Sequence, residues 1–215
     1  MKQKEKKGRQ LTEAELRRKA RFEKLTEDME RQGWMTHNLT IGVVKANILA
    51  FVVMFPFVLA VIIWYLVVND SLGHNLSVWG LFLMVAMLIV LFVAHEGIHG
   101  LVWGLCAPSR FRSIEFGVIW AALAPYCTCA EPMKKWQYLL GSAMPTLVLG
   151  FGLGAVAVFT GVDLLLYLSV LMILGGGGDF CIILKLLAYR PKGEAVYCDH
   201  PYELGLVAFE RPVKS

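Results

Sequence analysis

Charge is scarce in this sequence. Lys, Arg, Asp and Glu make up 18% of its 215 residues, against about a quarter in soluble domains. With a net charge of only +4, the chain is neither a disordered segment nor a nucleic-acid binder relying on a basic surface. Cysteine is sparse too, and five in 215 residues exclude a miniprotein stapled by disulfides. Residues 69–75 (NDSLGHN) and 161–163 (GVD) contain no Lys or Arg, and the chain has no internal repeats and no low-complexity segments. What fills the chain is apolar: 57% of residues are hydrophobic and the mean hydropathy is +0.57. That is the composition of a polytopic membrane protein, and the lipid bilayer is its first expected partner.

Four apolar stretches follow a polar start: Asn47 to Val68, Ser77 to about Ala107, Tyr138 to Thr160 and Leu164 to Ala188. Each reaches the roughly 20 residues needed to cross about 30 Å of hydrocarbon. Pro56 interrupts the first as a tolerable kink, and the third is rich in Gly, which permits close helix contacts. The fold class read from this pattern is an all-α membrane protein with four transmembrane helices. All 21 Lys and Arg lie on the flanks that share one side: twelve before the first span, Arg110, Arg112, Lys134 and Lys135 between the second and third, and five from Lys185 onward. The positive-inside rule then puts both termini in the cytoplasm of a cell membrane, expected to be a bacterial one.

The organisation reads as a basic N-terminal segment (1–46), a four-span membrane domain (47–190) and a cytoplasmic tail (191–215). In the first segment Thr12 and Glu15 have capping-box spacing, and Phe22, Leu25 and Met29 recur as on one helical face. This predicts a solvated cytoplasmic helix or one lying on anionic lipid. No apolar run follows the first basic residues until about residue 48, so a signal peptide is not expected. The connection from Ser113 to Cys129 is apolar and β-prone but broken by Gly117 and Pro125. It reads either as an interfacial loop or as a β-hairpin-like element dipping to membrane level under cover of other protein.

Acidic residues nearly all avoid the apolar stretches, with Glu96 and Asp179 the clear exceptions and Asp163 at a boundary. An ionisable group in hydrocarbon costs roughly 2.5–3.5 kcal/mol on insertion scales, so both need a reason to be there. Glu96 sits in His95-Glu96-Gly97-Ile98-His99, an HExxH pattern. At i and i+4, His95 and His99 leave one helical face and can reach one metal ion, with Glu96 beside the first ligand as general base. The pattern is a known zinc-metalloprotease signature. A catalytic zinc wants a third protein ligand. Asp179 is the leading candidate, since it and His95 fall at roughly 23 and 27 Å from the same membrane face by helical rise. Four glycines, Gly175 to Gly178, precede it and allow close backbone approach. Asp199 and His200 are rival ligands if the tail folds back, with Glu115 and Glu131 weaker ones. Cys127 and Cys129 form a CxC pair that reads as apolar filler, His37 and His74 as solvent-facing, and Trp136, Tyr138 and Tyr189 as interfacial anchors. A reducing cytoplasm would leave the cysteines unpaired.

On HEGIHG (95–100), GGGGDF (175–180) and DHPYELG (199–205) the sequence resembles a family of zincin-type membrane peptidases known chiefly as a domain of unknown function. It is more distantly similar to the site-2 intramembrane metalloproteases, over roughly residues 80–210. The likeness implies His95, His99 and Asp179 as zinc ligands, Glu96 as general base, and a hairpin after the motif helix that could hold a substrate strand. One departure from the site-2 pattern is Phe180, where those proteases typically carry Gly after the ligand Asp. The expected function is an intramembrane zinc peptidase hydrolysing a bond in or near the cytoplasmic leaflet of a membrane-associated polypeptide substrate. The alternatives are a non-catalytic metal-binding or partner-binding membrane protein, favoured if Asp199 or His200 supplied a fourth ligand, and a metal-ion carrier.

Overall fold

The computed structural model describes residues 11–70, 77–119 and 124–212. The expectation of an all-α chain with one hairpin-like loop needs a correction. The helices predominate, but among the described residues five strands form two sheets.

Helix α1 (Glu13–Arg31) starts in the predicted capping box: the Glu15 carboxylate accepts from the Thr12 backbone N–H at 2.8 Å, and the Thr12 hydroxyl accepts from Glu15 N–H. Its apolar face is neither solvated nor laid on lipid. Phe22, Leu25 and Met29 pack on Trp34, Cys198, Val207 and Phe209. Those last residues belong to an antiparallel sheet of strands β1 (Met35–Thr40), β5 (Gly205–Arg211) and β4 (Glu194–Asp199), in the order β1-β5-β4. Residues from the first and the last segments thus build one unit, with Met35 opposite Glu210 and Thr40 opposite Gly205. β5 is central and buried from Gly205 to Glu210, which suits its run Leu206-Val207-Ala208-Phe209.

Helices α2 (Val43–Asn69) and α3 (Val78–Cys106) are long and apolar enough to cross a membrane, as is the run Lys135–Thr160. That run begins three residues before the predicted start, and is α4 (Lys135–Pro145), a wide π-helical stretch (Thr146–Gly152) and α5 (Leu153–Thr160). The fourth apolar stretch is two helices, α6 (Asp163–Gly175) and α7 (Gly177–Ala188), bent by 42° and counted as one span only if taken together.

Between α3 and α4, strands β2 (Ile114–Ile119) and β3 (Ala124–Cys129) pair antiparallel, so the segment expected as either a loop or a hairpin-like element contains a strand pair. The hairpin packs on α3 because α3 carries no side chain there. A Cβ at Gly100 would lie 2.3 Å from the Phe116 ring, and one at Gly104 would lie 2.4 Å from the Phe111 ring. A buried cluster including Trp103, Cys127, Cys129, Met133, Tyr138, Leu186, Tyr197 and Leu206 joins hairpin, α3, α4, α7 and the three-stranded sheet. The predicted membrane anchor Tyr138 is therefore 1% exposed and internal, whereas Trp136 is 58% exposed. Tyr189 gives its hydroxyl to Glu210.

Candidate metal centre

α3 places His95 and His99 on one face, both buried. α7 brings Asp179 to them from across the bundle: its Oδ2 lies 3.1 Å from His95 Nε2 and 3.4 Å from His99 Nε2. One ligand atom from each residue falls within 4.8 Å of the others, and among the described residues this trio is the group of His, Cys, Asp and Glu able to hold a metal ion. Tetrahedral zinc with bonds of about 2.0–2.2 Å separates its ligand atoms by about 3.3 Å. The two separations from Asp179 Oδ2, 3.1 and 3.4 Å, bracket that value, so the donor set fits zinc in both chemistry and spacing.

Two breaks in helices make this arrangement possible. The first lies in α4. Pro145 has no N–H, so the carbonyl four residues before it, that of Gly141, loses its helical donor. His99 Nδ1 takes the place at 2.9 Å. A donor on Nδ1 fixes the tautomer and leaves Nε2 as the ligand atom, the usual support for a metal-binding His. Trp103 stacks on the His99 ring at 4.9 Å and 19°, and sits over Gly141, where a Cβ would lie 1.9 Å from its Nε1. The second break separates α6 from α7 at Gly176. A Cβ there would meet the Thr146 hydroxyl at 1.9 Å, and one at Gly177 would meet Ala50 at 2.6 Å. Gly176 and Gly177 thus let the π-helical stretch and α2 close in from two sides, and Asp179 follows in the first turn of the new helix, where a carboxylate suits the positive end of the helix dipole. Phe180, the departure from the site-2 pattern, turns away to pack on Phe57 at 5.7 Å.

Glu96 is partly buried next to the trio, with the backbone N–H of Cys127 turned to its carboxylate. The rival ligands lie elsewhere. Asp199 accepts from the Tyr138 hydroxyl and, at 2.9 Å, from the Cys129 N–H. Burial pushes its carboxyl above the usual carboxylate range, while those two bonds and His99 nearby pull it the other way. His200 Nδ1 accepts from Glu203 N–H at 3.0 Å, its ring beside Phe22 and Tyr202. Glu115 pairs with Arg21, and Glu131 accepts from Ser109. All five cysteines are free, and burial pushes the Cys127 and Cys198 thiols up, so neither is a ready thiolate. His37 is near Glu210 (3.7 Å), and His74 lies outside the described residues.

Residues 88–194 match the family model DUF3267, described as "Putative zincin peptidase". Over this stretch the chain is similar to that family. The match includes His95, Glu96, His99 and Asp179, as well as the whole hairpin and both helix breaks, and leaves out α1 and most of the three-stranded sheet. No curated protein and no solved structure matches the chain. The zincin family implies zinc and metallopeptidase chemistry, and the trio is a group that could hold such an ion. The Gly141–Pro145 pair, Trp103 and Thr146 were not predicted from the sequence. The legible signal among them is a Pro four residues after a Gly in an apolar stretch, which marks a released carbonyl.

Proposed function

We propose that this chain is a four-span intramembrane zinc peptidase with both termini in the cytoplasm, cleaving a membrane-associated polypeptide in or near the cytoplasmic leaflet. One observation carries the reading: two histidines from one apolar helix and an aspartate from another converge at ligand spacing, with a carboxylate, Glu96, beside them. Zinc held by His95, His99 and Asp179 would supply Lewis acidity to a bound water and to the scissile carbonyl. Glu96 accepts the proton of the attacking water and passes it to the leaving amine. His99, held by the Gly141 carbonyl, keeps its Nε2 presented to the site. The chain's third contribution is shelter, because β3 covers the Glu96 side with its Cys127 N–H toward the carboxylate.

The non-catalytic alternative called for a fourth ligand from the tail. Asp199 is committed to Tyr138 and Cys129, and His200 to Glu203, which favours three protein ligands and an open position. The test uses detergent-purified full-length chain added to an isolated membrane fraction, with new N-termini read by terminal labelling and mass spectrometry. Wild type is expected to generate N-termini that Glu96→Gln does not, at equal zinc content. The same N-termini from both proteins would refute the mechanism.

A further inference from the structure

Asp199 belongs to a motif that the metal centre leaves unused, yet it makes two hydrogen bonds close to that centre. Which edge of the hairpin it touches follows from the register. Ala130 N–H donates to Ser113 O at 2.8 Å, so residue 130 turns its N–H toward β2. Antiparallel alternation then turns the N–H of Cys129 outward, Thr128 inward and Cys127 outward. Both outward groups are turned toward a carboxylate: Cys129 N–H donates to Asp199 Oδ2 at 2.9 Å, and Cys127 N–H is on the Glu96 side. The free edge of β3 is thus held between the acid beside the metal trio and the acid of the tail.

The other Asp199 oxygen accepts from the Tyr138 hydroxyl on α4. The Tyr138 carbonyl in turn accepts from Ser142 Oγ at 2.9 Å and from Trp103 Nε1, and Trp103 stacks on His99. Asp199 itself is fixed from behind: Tyr197, two residues earlier, exchanges both backbone bonds with Met133 at 2.7 and 2.8 Å. A single carboxylate therefore ties β3 and α4, which are close in sequence, to the three-stranded sheet, with 70 and 61 positions separating Asp199 from Cys129 and Tyr138.

We propose that Asp199 is a positioning residue of the metal site: it sets β3 along its length, so that the Cys127 N–H stays on the Glu96 carboxylate. This puts the tail sheet, outside most of the family match, in control of the strand that faces the reacting groups. That β3 faces a substrate rests on the peptidase reading; the bonds made by Asp199 do not.

The experiment compares full-length wild type, Asp199→Ala, Asp199→Asn and Tyr138→Phe in detergent by amide hydrogen exchange over residues 124–131, with zinc per chain measured in parallel. Asp199→Ala is expected to speed exchange at Cys129 about tenfold or more, as losing a hydrogen bond to a charged group does, and to speed Cys127 in the same direction. Asn keeps an acceptor for the Cys129 N–H, so Asp199→Asn should restore most of the protection. Tyr138→Phe should leave Cys129 near wild type. Zinc stays at the wild-type value in all three. Unchanged Cys129 exchange in Asp199→Ala would overturn the proposal, as would a change confined to Cys129 that never reaches Cys127. Loss of zinc in Asp199→Ala would overturn it differently, by making Asp199 a ligand. If Asp199→Ala does not give a monodisperse protein, Asp199→Ser, too short to reach Cys129, takes its place with the same expectations. None of these readouts needs peptide cleavage, so failure of the peptidase reading would show separately in the N-terminal labelling.

Discussion

Replacing Pro145 by Ala should weaken zinc binding while strengthening the helix that carries the substitution. An Ala at 145 supplies the N–H that Pro lacks, and its natural acceptor is the Gly141 carbonyl that now holds His99 Nδ1 at 2.9 Å. That new helical bond contributes about 0.5–1.5 kcal/mol to stability. Supporting contacts of this kind to a ligand His are worth about 10–100-fold in metal affinity. A carbonyl has two lone pairs, so the competition is partial, and the expected loss is at the lower end, about tenfold or about 1.4 kcal/mol. Zinc affinity would be measured by competition with a chromophoric chelator, and stability by thermal unfolding of the metal-stripped protein in the same detergent. The two effects have opposite signs, so general damage to the fold cannot imitate them. Zinc affinity within twofold of wild type in a well-folded Pro145→Ala protein would refute the argument that the proline frees this carbonyl for His99.

Zinc content by elemental analysis should fall from about one per chain to near zero in His95→Ala and be much reduced in Asp179→Asn; full retention in Asp179→Asn would remove Asp179 from the ligand set. Gly176→Ala places a Cβ 1.9 Å from the Thr146 hydroxyl and should lower thermal stability by about 1–3 kcal/mol, with much of the loss recovered in Gly176→Ala/Thr146→Ala. Glu210 is held below its ordinary value of 4.5 by the Tyr189 hydroxyl first and the Lys192 N–H second. Its contribution is therefore present above pH 4.5 and lost as the pH falls below it, and Glu210→Gln should flatten that part of the stability–pH curve measured by thermal unfolding.

The motif helix and the paired histidines were readable because polar residues in an apolar run are conspicuous, and so was Asp179, the acid of the last stretch. The capping box of α1 was readable for the opposite reason, being entirely local: Thr12 and Glu15 are three residues apart. The three-stranded sheet was not. Its edge strand β1, Met-Thr-His-Asn-Leu-Thr, has weak alternation, and its partner lies about 170 positions away, where no periodicity can point to it. The same blindness turned the α1 face toward lipid or water in the sequence reading, since Phe22, Leu25 and Met29 announce an apolar face but not what covers it. Tyr138 looked like an interfacial anchor because its position at the start of an apolar stretch is where such residues sit. Its burial depends on the tail returning to offer Asp199.

The two helix breaks belong to one solution of a general difficulty. A site between apolar helices needs polar atoms to orient its ligands, yet each added polar side chain must be matched or costs several kcal/mol. The backbone already carries such atoms, but a regular helix consumes them. Pro145 releases one carbonyl without adding a polar side chain, and His99 uses it. Gly176 ends α6 and lets α7 begin at Gly177, so Asp179 stands in the first turn of a helix instead of mid-helix. The breaks also face each other: the Thr146 hydroxyl, next to Pro145, occupies the space that a side chain at Gly176 would fill. Closing that space therefore moves both sides of the site at once, α4 with the support for His99 and α7 with Asp179. That coupling is why a single methyl group at Gly176, remote from the ligand atoms, is expected to disturb zinc binding together with stability, and why removing the Thr146 side chain should restore both.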